Sequence, residues 1–77
     1  MVEEFESLQV VCHLDSLLTQ RNLSLTELSK LVDISLANLS VLKNNRAKAI
    51  RYSTFIALCS ALDCQPGDLF TVDAKQV

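Results

Sequence analysis

Four cations, Lys43, Arg46, Lys48 and Arg51, lie in a stretch from Ile34 to Leu62 that holds no Asp or Glu. Basic side chains grouped in this way neutralise phosphates, so the chemistry on offer is the binding of a polyanion. The whole chain carries a formal net charge of −2, which means any such binding is local rather than a product of bulk charge. The balancing acids sit elsewhere, with Glu3, Glu4, Glu6 and Asp15 in the first fifteen residues.

Bond-making chemistry has little to draw on. The one histidine, His13, has no Ser–Asp or Cys partner pattern around it, and no carboxylates are paired at catalytic spacing. The sequence therefore predicts a protein that is not an enzyme and uses no cofactor. Cys12, Cys59 and Cys64 are odd in number and match neither a disulfide framework nor a C-x-x-C motif. They read as reduced, small hydrophobes, Cys59 within an apolar periodic stretch. Cys12 and His13 lack the second pair of ligands that a metal site needs.

These residues must be carried by a small scaffold. Seventy-seven residues make one domain, and 49% apolar content with one Gly and one Pro favours helices joined by short turns. Leu14, Leu17, Leu18 and Arg21 follow helical spacing and place a first helix ending near Asn22. Ser24 and Glu27 form an S-x-x-E capping box ahead of Leu28, Leu31 and Val32, which opens a second helix. Asp33-Ile34-Ser35 interrupts it; Asp tolerates a left-handed turn and Ser35 caps a third helix over Leu36 to Lys43. Asn44-Asn45 ends that helix, and a polar, basic loop runs from Asn44 to Arg51. Ser53 is placed to cap a fourth helix through Leu62, and Pro66 to start a fifth over Pro66 to Phe70.

The expected layout is an acidic N-terminal extension over 1–9, a helical domain over 10–70 and a C-terminal tail over 71–77. Val10-Val11-Cys12 reads equally as a short extended segment or as the start of a helix. No apolar run approaches the roughly 20 residues that cross a bilayer, and the acidic start lacks the positive region of a secretory signal. The sequence thus predicts a cytoplasmic protein with no membrane contact.

Two capped helices joined by a three- to four-residue turn are the helix-turn-helix pattern, in which the second helix enters the major groove. Ser35 to Val41 is then the reading segment, with Leu28, Ile34, Leu39 and Leu42 fixing the angle between the helices. Ser24 to Leu42 resembles the helix-turn-helix of the phage Cro and repressor superfamily, also called XRE-like. The stretch from Ala37 to Arg51, together with Ser53-Thr54-Phe55 and Ala61 to Phe70, is similar to YozG-like compact regulators. The resemblance covers about Leu14 to Phe70. It implies an all-α, five-helix Cro/repressor-like domain that acts as a sequence-specific DNA-binding transcriptional regulator.

The resemblance also assigns roles by position. Ser35, Leu36, Ala37, Ser40 and Val41 fall towards base edges, and Asn44, Arg46 and Lys48 towards phosphates. Arg51 falls near the minor groove, whose negative potential attracts Arg where the groove is narrow. Lys43 completes the basic DNA-binding set. Superfamily members often carry Gln at the position of Leu25 and Gly at those of Asp33 and Asn45, but Asp and Asn are good substitutes at positive φ.

The reading face is apolar. Leu36, Ala37 and Val41 offer no bidentate base readout, so either thymine-methyl contact or docking on a partner protein accounts for them. The expected partners are double-stranded DNA, a second copy of the chain in a homodimer, and, in the alternative reading, a partner regulator protein met by an adaptor or antirepressor.

Overall fold

A computed structural model describes residues 7–74. Five helices and a two-stranded sheet follow in the order β1 (Leu8–Cys12), α1 (Leu14–Arg21), α2 (Leu25–Val32), α3 (Leu36–Lys43), α4 (Tyr52–Leu62), α5 (Pro66–Leu69) and β2 (Phe70–Ala74). The acidic residues Glu3, Glu4 and Glu6 lie outside the described residues.

The core is leucine. Leu14, Leu17, Leu18, Leu28, Leu39, Leu42, Leu58, Leu62 and Leu69 are the buried hydrophobic residues among those described, drawn from all five helices. Each contributes about 1.5–3 kcal/mol by leaving water. Ile34, Phe55, Cys59, Cys64 and Phe70 pack around them in part. α2 holds the centre of the arrangement, packing against both α3 and α4. The Phe55 and Phe70 rings meet edge to face at 5.3 Å, tying α4 to β2.

Helix ends follow local chemistry. Asn22, Asp33 and Asp63 close α1, α2 and α4 in the left-handed conformation, and Asn45 adopts it after α3. Asn and Asp fill the role usually taken by Gly, because their short polar side chains tolerate positive φ. Arg21 adds a second closure from outside the helix it serves. Its Nε donates to the Leu62 carbonyl at 2.7 Å and its Nη2 to the Asp63 carbonyl at 3.1 Å. A cation of α1 therefore caps the electronegative end of α4.

The domain is not purely helical. β1 and β2 pair antiparallel, with Leu8 opposite Ala74, Val10 opposite Val72 and Cys12 opposite Phe70. This corrects the all-α expectation. Residues 8–9 and 71–74, read from sequence as extension and tail, are strand. The Val10-Val11-Cys12 triplet takes its extended alternative. The physical reason is cross-strand pairing of β-branched residues: Val10, Val11, Thr71 and Val72 stabilise each other only once the helices bring the two segments together. Two smaller corrections concern caps. The residue at the start of α4 is Arg51, with no side-chain cap, rather than Ser53. α5 stops at Leu69 because Phe70 already pairs with Cys12.

Candidate nucleic-acid interface

The geometry of α2 and α3 rests on a small set of polar contacts. Ser24 Oγ accepts from the Glu27 backbone N–H at 3.0 Å while Glu27 Oε1 accepts from Ser24 N–H at 3.1 Å, completing the capping box. In the turn, Asp33 sits at φ 55°. The Ile34 N–H donates to the Ser29 carbonyl at 3.3 Å, and Ser29 Oγ donates back to the Ile34 carbonyl at 2.6 Å. Ser35 Oγ then accepts from Asn38 N–H at 3.1 Å and starts α3. The turn is thus stitched from both sides, which fixes the angle at which α3 leaves α2.

α3 divides cleanly between inside and outside. Leu39 and Leu42 are buried, whereas Leu36 and Val41 keep 44% and 42% of their surface exposed. Ser35, Ala37 and Asn38 are exposed and Ser40 is half-buried. After α3, Asn45 turns left-handed and the Arg46 N–H donates to the Val41 carbonyl at 2.9 Å. That bond folds the basic loop back alongside the helix.

The result is one open depression of about 540 Å³ whose lining includes Ser35, Val41, Arg46, Lys48 and Arg51. Half of the sequence-derived candidates therefore converge there. Asp33 is the one carboxylate in its lining, beside three cations. Arg46, Lys48 and Arg51 are exposed, and no ion pair involving them is recorded among the described residues.

The other candidates lie elsewhere. Leu36, Ala37 and Ser40 are on α3 but not in the depression. Asn44 is engaged locally, its Nδ2 donating to the Ser40 carbonyl at 2.9 Å and to Ser40 Oγ at 3.2 Å. Lys43 is half-buried, with its Nζ 3.6 Å from Asp15 Oδ1 on α1. Its charge is thereby partly answered inside the chain.

Three positioning contacts, made by Asn45, Ser29 and His13, were not readable in the sequence. Asn45 Oδ1 accepts from the Cys12 backbone N–H at 2.7 Å, pinning the basic loop to β1. Ser29 locks the turn, as described. His13, at the start of α1, places Nε2 2.7 Å from Thr71 Oγ1, joining the helices to β2. An Asn after a helix, or a His at the start of one, carries no signal that points to a contact 33 or 58 residues away.

Comparison with known proteins agrees with the helix-turn-helix fold. The profile of the Cro/C1-type HTH DNA-binding domain matches residues 13–75. The chain belongs to the Cro/C1-type helix-turn-helix DNA-binding family. Within this family, also called XRE-type, it is 55% identical over 60 residues to the uncharacterized HTH-type transcriptional regulator YozG of Bacillus subtilis strain 168. That match spans 78% of this chain and 71% of YozG. The transcriptional regulator VanUg, known from a crystal structure, shares the fold with a TM-score of 0.74 at 24% identity, over 90% of this chain and 91% of its own. This Cro/C1-type chain is accordingly an XRE-type helix-turn-helix regulator. No helix among the described residues is long and apolar enough to cross a membrane.

Proposed function

We propose that this regulator binds double-stranded DNA sequence-specifically, with α3 in the major groove and the basic loop on the phosphates. The observation that carries the reading is the shared depression, in which the Ser35 start of α3 and Val41 face Arg46, Lys48 and Arg51. In this reading Ser35, Leu36, Ala37, Ser40 and Val41 meet base edges. Asn44, Arg46, Lys48 and Arg51 hold the backbone, and Lys43 joins them by exchanging Asp15 for a phosphate. Phosphate contacts supply affinity and register, while sequence is read by hydroxyls and by apolar contact with thymine methyls.

One domain of this size makes few contacts, so the chain acts in the cytoplasm as a homodimer on paired half-sites, where twofold symmetry doubles them. Fluorescence anisotropy with a duplex selected from random sequence tests the proposal across a range of salt. Replacing Arg46, Lys48 and Arg51 together by Gln is expected to weaken binding uniformly and to lower the salt slope by about 2–3. Unchanged affinity and slope in that variant would overturn the reading.

A second reading rests on the exposure of Leu36 and Val41, which suits a dock for a partner regulator protein. Leu36→Ser with Val41→Ser separates the two. Loss of partner capture with DNA binding intact favours the adaptor; loss of base discrimination with no partner captured favours DNA readout.

A further inference from the structure

α4 ends in a turn that brings two thiols together. Asp63 adopts φ 48°, its N–H donates to the Ser60 carbonyl at 3.3 Å, and the Cys64 N–H donates to the Cys59 carbonyl at 3.0 Å. In a helix terminus of this form, the side chains at the positions of Cys59 and Cys64 touch, and the usual occupants are apolar. Here both are cysteine. With standard bond lengths the 3.0 Å bond keeps the two Cα atoms within about 7 Å, the limit at which thiols can be bridged without moving the backbone.

Three further observations separate this pair from plain packing. Cys59 lies close enough to interact directly with the Cys64 thiol. Both thiols are free and only half-buried. Both residues line one open depression with Tyr52, Ile56, Asp63 and Pro66, large enough to admit a small molecule. Cys12 lies on β1, outside this depression.

We propose that Cys59 and Cys64 form a redox modification site, in which a peroxide converts the two thiols into a reversible intramolecular disulfide. The Cys59 sulfur, as thiolate, attacks one peroxide oxygen; the O–O bond breaks, and the departing alkoxide or hydroxide takes up the proton that Cys59 released. Cys59 is now a sulfenic acid. The Cys64 sulfur displaces its hydroxyl, so the S–S bond forms as the S–O bond breaks, and the Cys64 proton leaves with that hydroxyl as water. Two electrons pass from the sulfur pair to the peroxide, and a low-molecular-weight dithiol returns them by thiol–disulfide exchange. Cys64 suits the second role. Burial first, and then Cys59 beside it, push its thiol up to about 11, so it is held protonated at neutral pH and does not compete for the peroxide. The bridge closes the turn whose Leu62 and Asp63 carbonyls Arg21 holds.

The test is treatment of the folded chain with hydrogen peroxide at neutral pH, read by thiol titration, intact mass and peptide mapping. The accessible thiol count in denaturant is expected to fall from three to one, with the loss of two hydrogens and a Cys59–Cys64 link that dithiothreitol reverses. Cys12→Ser should form the same link. Cys64→Ala should stop at the sulfenic acid and gain oxygen or form intermolecular dimers through Cys59, whereas Cys59→Ala should leave Cys64 as a thiol. Oxygen gain without a link in the folded wild-type chain, or a link that uses Cys12, overturns the proposal.

Discussion

Asn45 Oδ1 accepts a 2.7 Å hydrogen bond from the backbone N–H of Cys12, so the residue that turns the chain out of α3 also anchors the inner end of β1. One side chain thus serves two purposes. Its φ of 61° directs the basic loop back along α3, and its amide holds that loop to a strand 33 residues earlier in sequence.

The two purposes separate by mutation. Asn45→Gly keeps the left-handed turn and loses the bond, whereas Asn45→Ala loses both. Urea denaturation is expected to show a cost of about 1–2 kcal/mol for Ala and roughly half of that for Gly. Equal costs would mean that the turn needs no left-handed residue.

Arg21 offers a second check on the scaffold. Its guanidinium spans the Leu62 and Asp63 carbonyls with two different nitrogens, which a lysine ammonium cannot reproduce in the same fork. Arg21→Met should cost about 1–2 kcal/mol and Arg21→Lys should recover only part of it. Full recovery by Lys would show that charge near the end of α4 matters more than geometry.

Burial distinguishes scaffold from the proposed reading surface along α3. Leu39→Ala removes a side chain with 0% exposure and should cost about 2–5 kcal/mol, a large part of the roughly 4–12 kcal/mol expected for a chain of this length. Val41→Ala, at 42% exposure, should cost under about 1 kcal/mol while changing DNA or partner binding. Thermal melts and binding measured on the same samples check both.

The ion pair of Lys43 with Asp15 makes a charge prediction opposite to simple counting. Asp15 is 74% exposed in its side chain, so the pair adds little stability. In the proposed DNA-bound state, its effect would be to hold Lys43 back from phosphate. Asp15→Asn should therefore tighten DNA binding several-fold at low salt, and Lys43→Gln should weaken it less than Arg46→Gln does. Anisotropy at two salt concentrations reads out all three variants.

Cys64 imposes a pH dependence. Its thiol is raised from an ordinary 9.0 to about 11 in the fold, chiefly by burial and then by Cys59. The folded chain therefore holds a proton that the unfolded chain releases first, and this contribution is present below pH 9 and lost as pH rises towards 11. Stability measured under reducing conditions should fall across that interval, and less steeply in Cys64→Ala.

Much of this was legible in the sequence because the signals are local. The Ser24–Glu27 capping box, the Ser35 cap and the Asp33 turn each depend on residues three or fewer positions apart, and each stands where the pattern puts it. The leucine spacing of α1 likewise gives Leu14, Leu17 and Leu18 as core. The sheet was hidden for the opposite reason. Val10-Val11 and Thr71-Val72 are strand-forming residues too few to declare a strand alone, and only the tertiary fold sets them face to face. Within the candidate site, the charges of Arg46, Lys48 and Arg51 were readable as a group, but the diversion of Lys43 to Asp15 was not, since it depends on how α1 lies against α3.

The pairing of Leu8 with Ala74 makes the described chain a closed circuit, its outgoing and returning ends side by side at one edge of the molecule. Any sequence continuing beyond either strand departs from a common point. A short peptide bridge across that point, with a new opening cut in a surface turn such as the one at Asn22-Leu23, should give a circularly permuted chain with the same leucine interior. The order in which the helices are written along the polypeptide is, in that sense, separable from the object they build.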